Sequence, residues 1–355
     1  MFTINMNNML PPDIKETTAP IESSSRIGYI DVAKAILIIM VMVGHVQNVC
    51  EQLSIKDRLC QNIDYFENFW GPFFMPAFFF ITGYCSSFAK RSRVFIISNL
   101  KSLIIPAILL GIIAKWITLI GNLDLDFKQY VNIELKRILL YGGAFWFLPS
   151  LFLAKIIYYY LYNNFCQNKV FICILLYFIG FVLYYYQIGD NYWYYKHSLM
   201  LTYFIALGNV LKEIKISPSC LVIISLWGGY LLALCILLMV GQESPHIAHK
   251  VNLSWQLIIP NFILSSLGSV LIIFSSKYIH KSTILIWIGR HSLIFYCLHI
   301  SFFFIYFKLL YFLFQKNIIF SLTGWVLGFI ISLGSCSVFV WILSKKYFKF
   351  VLGKF

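Results

Sequence analysis

Charged residues are scarce in this chain. Asp, Glu, Lys and Arg make up 12% of its 355 residues, against about 25% in an ordinary soluble domain. Apolar residues reach 60% and aromatic residues 19%, so a soluble fold of this length would leave a large apolar surface in water. The composition therefore excludes a soluble protein and predicts an all-α, polytopic integral membrane protein.

The first 25 residues lack the features of a secretory signal peptide. They have no basic start, no apolar core and no small-residue cleavage site. They contain Pro, Ser, Asn and Thr instead, which is typical of disordered segments. We therefore predict a disordered tail over 1–25 and one integral membrane domain over 26–355.

The sequence also lacks a convincing metal site or nucleic-acid surface. The nine cysteines are scattered mostly inside apolar runs, where Cys usually acts as a small buried hydrophobe. Cys50 and Cys60 fall in or beside one polar loop, which leaves a disulfide open. His246 and His249 with Glu243 have metal-compatible spacing, but we favour a solvated loop and predict no metal. Basic residues are not gathered on one soluble face, so we predict no nucleic-acid partner.

Apolar runs long enough to cross a bilayer recur along the chain, separated by short polar segments. With the N-terminus inside, the cytoplasmic segments hold 16 of the 28 Lys and Arg residues and the outer segments hold 8. This asymmetry predicts that both termini are cytoplasmic, in a bacterial-type inner membrane. We predict about ten transmembrane helices, over 29–49, 69–88, 102–120, 145–162, 169–187, 197–211, 219–241, 253–275, 292–312 and 320–343.

The first predicted helix contains three ionisable residues, Asp31, Lys34 and His45. A central Asp or Lys costs roughly 2.5–3.5 kcal/mol in a bilayer. The eleven-residue spacing of Lys34 and His45 puts both on one helix face, about 16 Å apart, and Asp31 shares this face. In a purely structural interpretation, Asp31 pairs with Lys34 and His45 bonds a neighbouring helix. The shared face favours a functional role.

Four segments together resemble one family. The first-helix stretch RIGYIDVAKAILIIMVMVGH (26–45), with Lys, ten residues and His, resembles the signature of the membrane acyltransferase-3 family, and especially its fucose 4-O-acetylase-like branch. FFMPAFFFITGY (73–84), FWFLPSLF (145–152) and WIGRHSLIFYCLH (287–299) are similar to later motifs of that branch. Phe74 stands where relatives often have His, and Arg290-His291 where Lys-Asn is frequent. The resemblance covers residues 26–344.

The resemblance implies transfer of an acyl group, usually acetyl from acetyl-CoA, to a hydroxyl of a cell-surface or lipid-linked carbohydrate. His45 would act as the base or would itself accept the acyl group. His299 is the second catalytic candidate, with a helix–helix hydrogen bond as the alternative. The expected partners are the carbohydrate acceptor and membrane lipids.

Coenzyme A carries phosphates, which favour cations at the cytoplasmic end of the site. Lys34, Arg91 and Arg93 are the candidates for this role, although the last two are also explained by membrane topology. Lys155 lies within a predicted span, but its long side chain can reach the interface. The candidates for lining the substrate site are Asp31, Thr82, Tyr84, Trp146, Ser150 and Lys155.

Two other functions remain open. A transporter or flippase for a polysaccharide precursor is expected to show related halves with paired, broken helices, and comparison of 29–187 with 197–343 gives no such pairing. A relative that binds a glycan without catalysis is the other alternative, because of Phe74. The Tyr-rich stretch YWYY (192–195) would either stack on a sugar or lie at the membrane interface.

Overall fold

The computed structural model describes residues 28–52, 67–120, 127–143, 145–165, 167–214, 218–247, 251–314 and 322–353. The described chain is helical apart from its connections and one two-stranded hairpin. The predicted tail over 1–25 lies outside it. The Cys50–Cys60 disulfide that the sequence leaves open also falls outside it, because Cys60 and the side chain of Cys50 are not described. The helices are α1 (Gly28–Gln52), α2 (Phe74–Cys85), α3 (Ser92–Asn99), α4 (Ile105–Ile120), α5 (Phe127–Tyr141), α6 (Phe147–Asn164), α7 (Lys169–Tyr185), α8 (Tyr195–Glu213), α9 (Cys220–Met239), α10 (Ile258–Tyr278), α11 (Thr283–Arg290), α12 (Ser292–Phe314) and α13 (Leu322–Leu343).

Shorter elements connect these helices. A π-helical turn, Leu100–Ile104, joins α3 to α4, and 3₁₀ turns cover Tyr192–Tyr194 and Lys346–Leu352. Strands β1 (His246–Ile247) and β2 (Val251–Asn252) pair antiparallel, with His246 opposite Asn252.

Every predicted span overlaps a helix. Within the described residues, six stretches are long and apolar enough to cross a membrane by themselves, and they belong to α1, α3–α4, α9, α10, α12 and α13. Helix α7 is apolar but has only 17 residues, and α2 has 12. The all-α membrane architecture is therefore supported, whereas the count of ten spans is not confirmed.

Most of these helices are apolar around much of their circumference, as expected for helices that face both lipid and other helices. Helix α9 is an example, since Leu221, Leu232 and Met239 are 76%, 63% and 85% exposed. Its first turn is capped by Ser219, whose hydroxyl accepts a hydrogen bond from the Val222 amide. Exposed apolar side chains along a whole helix indicate contact with lipid rather than water.

Glycines allow α2 and α8 to approach closely. A Cβ on Gly83 would lie 2.0 Å from the Ile205 carbonyl oxygen, and one on Gly208 would lie 2.0 Å from the Phe80 oxygen. Small residues of this kind bring helix backbones together in membranes. The contact fixes the position of α2, which carries residues of the candidate site.

The structure adds three helices that lie outside the predicted spans, α3, α5 and α11. Helix α5 is attached to α4 through Glu134, whose carboxylate lies 3.7 Å from Lys115 Nζ and 3.1 Å from Arg137 Nη1. Helix α11 ends directly before α12 and packs against α1. It thereby brings Arg290 to the N-terminal part of α1.

The hairpin β1–β2 lies near the segment before α2. The Ser244 hydroxyl donates to the Asn68 carbonyl oxygen at 2.8 Å, and burial lowers the pKa of His246. His249 lies outside the described residues. Within the described ranges, no group of three or more His, Cys, Asp or Glu residues could hold a metal ion.

Candidate active site

Helices α1 and α12 bring His45 and His299 together, with ring centroids 5.2 Å apart and planes tilted by 41°. His299 is completely buried. Its Nδ1 lies 2.7 Å from the Phe295 carbonyl oxygen, so this nitrogen carries a proton and donates, and Nε2 holds a lone pair when the ring is neutral. This Nε2 is buried and has no hydrogen-bond partner within the described part of the chain.

An ion cluster joins α1 to α11. The Asp31 carboxylate is 1% exposed, and it lies 3.8 Å from Lys34 Nζ and 3.4 Å from Arg290 Nε. A buried carboxylate is tolerated when cations compensate its charge. The helices meet here because residue 289 is Gly: a Cβ at this position would lie 1.7 Å from the Asp31 carbonyl oxygen. Two cations against one carboxylate leave the cluster with a net positive charge.

A half-open cleft of about 210 Å³ lies beside this cluster. It is bounded by α1, α2, the π-helical turn before α4, α6, α11 and α12, and one end has the two cations. Its polar lining residues are Lys34, Thr82, Ser102, Arg290 and Ser292. Its apolar and aromatic lining residues include Met75, Phe78, Leu103, Phe147, Leu151 and Tyr296.

The histidine pair lies away from the two cations. His45 follows Lys34 on α1, and His299 is on α12, the helix that comes after Arg290 at the end of α11. Tyr296, which lines the cleft, precedes His299 by three residues, about 4.5 Å along the axis of α12. Lys34 and His45 are separated by about 16 Å along α1. The cleft thus has two cations at one end. The imidazoles of His45 and His299 lie about one helical turn beyond Tyr296.

Residues 27–342 match a family model described as an acyltransferase domain. The chain belongs to the acyltransferase-3 family. No curated protein and no solved structure matches it. The helices and the family together make this protein a membrane-bound acyltransferase, while its assignment to the fucose 4-O-acetylase-like branch stays a prediction.

Among the residues predicted to line the substrate site of this acyltransferase, Thr82 does line the cleft, and its hydroxyl donates to the Phe78 carbonyl oxygen at 2.9 Å. Tyr84 lies nearby on α2, but its hydroxyl is 2.9 Å from that of Tyr29 on α1. Asp31 lies behind the cleft lining and holds the two cations. Asp31 therefore positions the two cations and is not itself part of the cleft lining.

Trp146 and Ser150 lie on the other side of the cleft wall, at the start of α6. The Trp146 ring is 5.3 Å from the ring of His197, which is completely buried. Ser150 is buried, and its hydroxyl accepts a hydrogen bond from Ser198 at 3.3 Å. Trp146 directly precedes Phe147, and Ser150 follows it by three residues, about one helical turn. The Phe147 side chain lines the cleft.

The cleft lining of the acyltransferase does not include Arg91 and Arg93, which were predicted to bind the donor, or Lys155, which was predicted to line the substrate site. Arg91 and Arg93 are exposed at the start of α3. Arg93 is nine residues before Ser102 of the cleft, about 13 Å along a continuous helix. Lys155 is partly buried in α6, with Nζ 5.8 Å from the Phe95 ring centroid, a cation–π contact.

Three residues near the site were not among the sequence-based candidates. Arg290 completes the ion cluster and Tyr296 lines the cleft, and both belong to the late motif WIGRHSLIFYCLH. Glu67 is the third: its Oε1 lies 3.1 Å from the position that a Cβ on Gly44 would occupy, next to His45. The motif was the available signal for the first two residues, whereas nothing in the sequence pairs Glu67 with α1.

Proposed function

We propose that this acyltransferase transfers an acetyl group from acetyl-CoA to a hydroxyl of a cell-surface or lipid-linked carbohydrate, with His45 as the base or the acyl acceptor. One observation carries the proposal. The His45–His299 pair, 5.2 Å between ring centroids, lies one helical turn beyond a cleft whose other end has two cations. This arrangement suits an anionic donor with its reactive group at the far end of a long arm.

The fit of the donor follows from the size and charge of the cleft. A volume of about 210 Å³ is below the roughly 300 Å³ at which pockets for drug-sized ligands begin. It suits the acyl-pantetheine end, and the nucleotide would remain at the open mouth. Lys34 and Arg290 would bind phosphate oxygens there. Arg91 and Arg93, which lie at the start of α3 and outside the cleft lining, would attract the donor through their charge.

Two routes lead to the same products. In the first, His45 removes the proton of the acceptor hydroxyl while the hydroxyl oxygen attacks the thioester carbonyl. The C–S bond then breaks, and the proton passes to the departing thiolate. In the second, a His45 nitrogen attacks the carbonyl and releases the coenzyme A thiol, and the hydroxyl then attacks the acylated imidazole. Both routes give an ester and free coenzyme A.

His299 would support either route as a neutral imidazole. Its bond to the Phe295 carbonyl oxygen fixes the tautomer, so Nε2 can accept a proton or a hydrogen bond. Asp31 would hold Lys34 and Arg290 in place. Thr82, Tyr84, Trp146, Ser150 and Lys155 would complete the substrate site or its supporting contacts.

The reaction is tested directly by measuring coenzyme A release. Purified protein in lipid nanodiscs is given acetyl-CoA and a candidate carbohydrate, and both the free thiol and the acetylated sugar are measured. Release of coenzyme A together with sugar ester supports the proposal. Movement of a labelled sugar across vesicles without any ester would instead indicate a transporter, and binding without either would indicate a non-catalytic relative.

Lys34→Ala should weaken acetyl-CoA binding while the protein stays folded. The substitution removes one phosphate partner at the mouth of the cleft, and a charged hydrogen bond contributes roughly 1.5–3 kcal/mol. Calorimetric titration with acetyl-CoA measures the loss. Lys169→Ala removes a Lys that lies at the start of α7, outside the cleft lining, and serves as the control. An unchanged affinity in Lys34→Ala would show that Lys34 is only an anchor at the helix end.

Both termini should be cytoplasmic, in a bacterial-type inner membrane. The excess of Lys and Arg on the proposed inner side supports this orientation. A reporter protein that is active only in the cytoplasm is fused after Phe355 and should be active. Activity of an exported reporter at the same position would reverse the orientation.

A further inference from the structure

Two consecutive residues in the turn before α8 have unusual backbone angles. Trp193 has φ 52° and ψ 20°, and Tyr194 has φ 55° and ψ 38°. Side chains with a Cβ disfavour this left-handed region. Such residues persist where the surroundings hold them, and they are concentrated at functional sites.

Several hydrogen bonds hold this turn. Lys196 Nζ donates to the Gly189 carbonyl oxygen at 2.6 Å, and the Lys196 amide donates to Asn191 Oδ1 at 3.1 Å. The Asn191 amide nitrogen is 3.0 Å from His197 Nδ1, and Trp193 Nε1 donates to the Leu139 carbonyl oxygen at 3.2 Å. The left-handed residues therefore belong to a fixed turn that orients its rings.

The turn begins a continuous series of aromatic rings that ends in the cleft, which we call the aromatic row. Neighbouring centroids are 6.2, 5.9, 6.4, 6.2 and 5.2 Å apart. The first ring is 45% exposed and the last two line the cleft. In order, the members are Tyr192, Tyr141, Tyr194, Trp146, Phe147 and Tyr296.

The exposed end of the row has polar groups beside its rings. The Tyr192 hydroxyl donates to Asp190 Oδ2 at 2.7 Å, and this bond raises the pKa of the phenol. The Asp190 carboxylate has further lone pairs for hydroxyl donors. An aromatic face beside a carboxylate matches a sugar ring, which presents C–H groups on its faces and hydroxyls at its edge.

We propose that the exposed end of the aromatic row, Tyr192 with Tyr141 and Asp190, is the docking site for a pyranose ring of the acceptor. The proposal rests on the proposed function, since it supplies the carbohydrate that the transfer needs. The sugar ring stacks on Tyr192, and Asp190 accepts its hydroxyls. Acceptor and donor thus approach the reaction from opposite ends, the acceptor along the aromatic row and the donor past Lys34 and Arg290.

The test compares Tyr192 with another exposed tyrosine outside the row. Tyr186 is 59% exposed, and its ring contacts only Tyr185 and Trp255 among the described aromatic rings. Full-length protein in nanodiscs is mixed with the methyl pyranosides of glucose, galactose, mannose and N-acetylglucosamine. Saturation-transfer NMR then measures which sugar protons contact the protein, and competition gives the affinity.

We expect at least one pyranoside to receive saturation at its ring C–H protons. Tyr192→Ala should weaken this binding about tenfold, equal to about 1.4 kcal/mol. Tyr192→Phe should keep most of the affinity because it keeps the ring, and Tyr186→Ala should match the wild type. If no pyranoside binds, or if Tyr192→Ala and Tyr186→Ala behave alike, the docking site is disproved.

Measurement of acetyl-CoA consumption separates this inference from the proposed function. In Tyr192→Ala, the KM for the acceptor should rise by a larger factor than kcat falls. A wild-type protein that binds pyranosides through Tyr192 but never consumes acetyl-CoA would overturn the proposed function and keep the docking site. If Tyr192→Ala acetylates sugars as well as the wild type does, the docking site is overturned and the proposed function is kept.

Discussion

His45→Asn should abolish acyl transfer and leave the protein folded in the membrane. Asn can keep a hydrogen bond at this position, but it cannot act as a base or accept an acyl group near neutral pH. General-base catalysis contributes roughly 10²–10⁴-fold to the rate, whereas a hydrogen bond between membrane helices contributes only about 0.6 kcal/mol to stability. The rate of coenzyme A release and the unfolding temperature in detergent measure the two effects separately.

His280→Asn is the matched control for this experiment. His280 is exposed between α10 and α11, and its Nδ1 is 2.6 Å from the Lys277 carbonyl oxygen. It therefore lies on neither helix of the histidine pair. The control should transfer acyl groups at the wild-type rate. Substantial transfer by His45→Asn would refute the catalytic role of His45. A less stable but active His45→Ala protein would likewise show that the imidazole serves packing alone.

Gly289→Ala should destabilise the protein and weaken donor binding together. The new Cβ would lie 1.7 Å from the Asp31 carbonyl oxygen, so α1 and α11 must separate. Overpacking typically lowers the free energy of unfolding by about 1–3 kcal/mol, and we expect a loss in this range. The shift also moves Arg290 relative to Asp31, and therefore changes the mouth of the cleft. A lower unfolding temperature and a higher KM for acetyl-CoA are the expected results.

Gly228→Ala provides the control for the loss of a glycine. A Cβ on Gly228 of α9 would have nothing within 4 Å, and Ala favours the helix over Gly by about 1 kcal/mol in water. This variant should unfold no earlier than the wild type. If Gly289→Ala behaved in the same way, the close contact between α1 and α11 would not determine the geometry of the cleft.

Apolar runs in the sequence predicted where the main helices lie, because burial in lipid requires long apolar segments regardless of the fold around them. The same signal could not predict α5, whose Glu134 and Arg137 are charged and whose stability depends on contacts with α4. It also placed the start of one span at residue 253, although residues 251–252 pair with β1 and the helix begins at Ile258. Strand pairing depends on a partner that hydropathy does not identify.

Part of the candidate site was also predictable from the sequence. The spacing of Lys34 and His45 within one helix follows from helix geometry alone, and the family motif added His299. The contacts across helices did not follow, since Arg290 meets Asp31 over a separation of 259 residues. A single sequence gives no indication of which distant side chains meet. Arg290 consequently appeared only as an unusual residue in a motif.

The packing of Phe145, Phe147 and Tyr296 bears on how a cell keeps its ion gradients. The Tyr296 ring is 5.6 Å from that of Phe145 and 5.2 Å from that of Phe147, between the donor cleft and the rest of the aromatic row. Packed aromatic rings exclude water and ions from the space that they fill. With donor and acceptor on opposite sides, as proposed, only a small uncharged acetyl group needs to pass this point. Surface sugars could then be modified with cytoplasmic acetyl groups while protons and metal ions are kept from leaking through the protein.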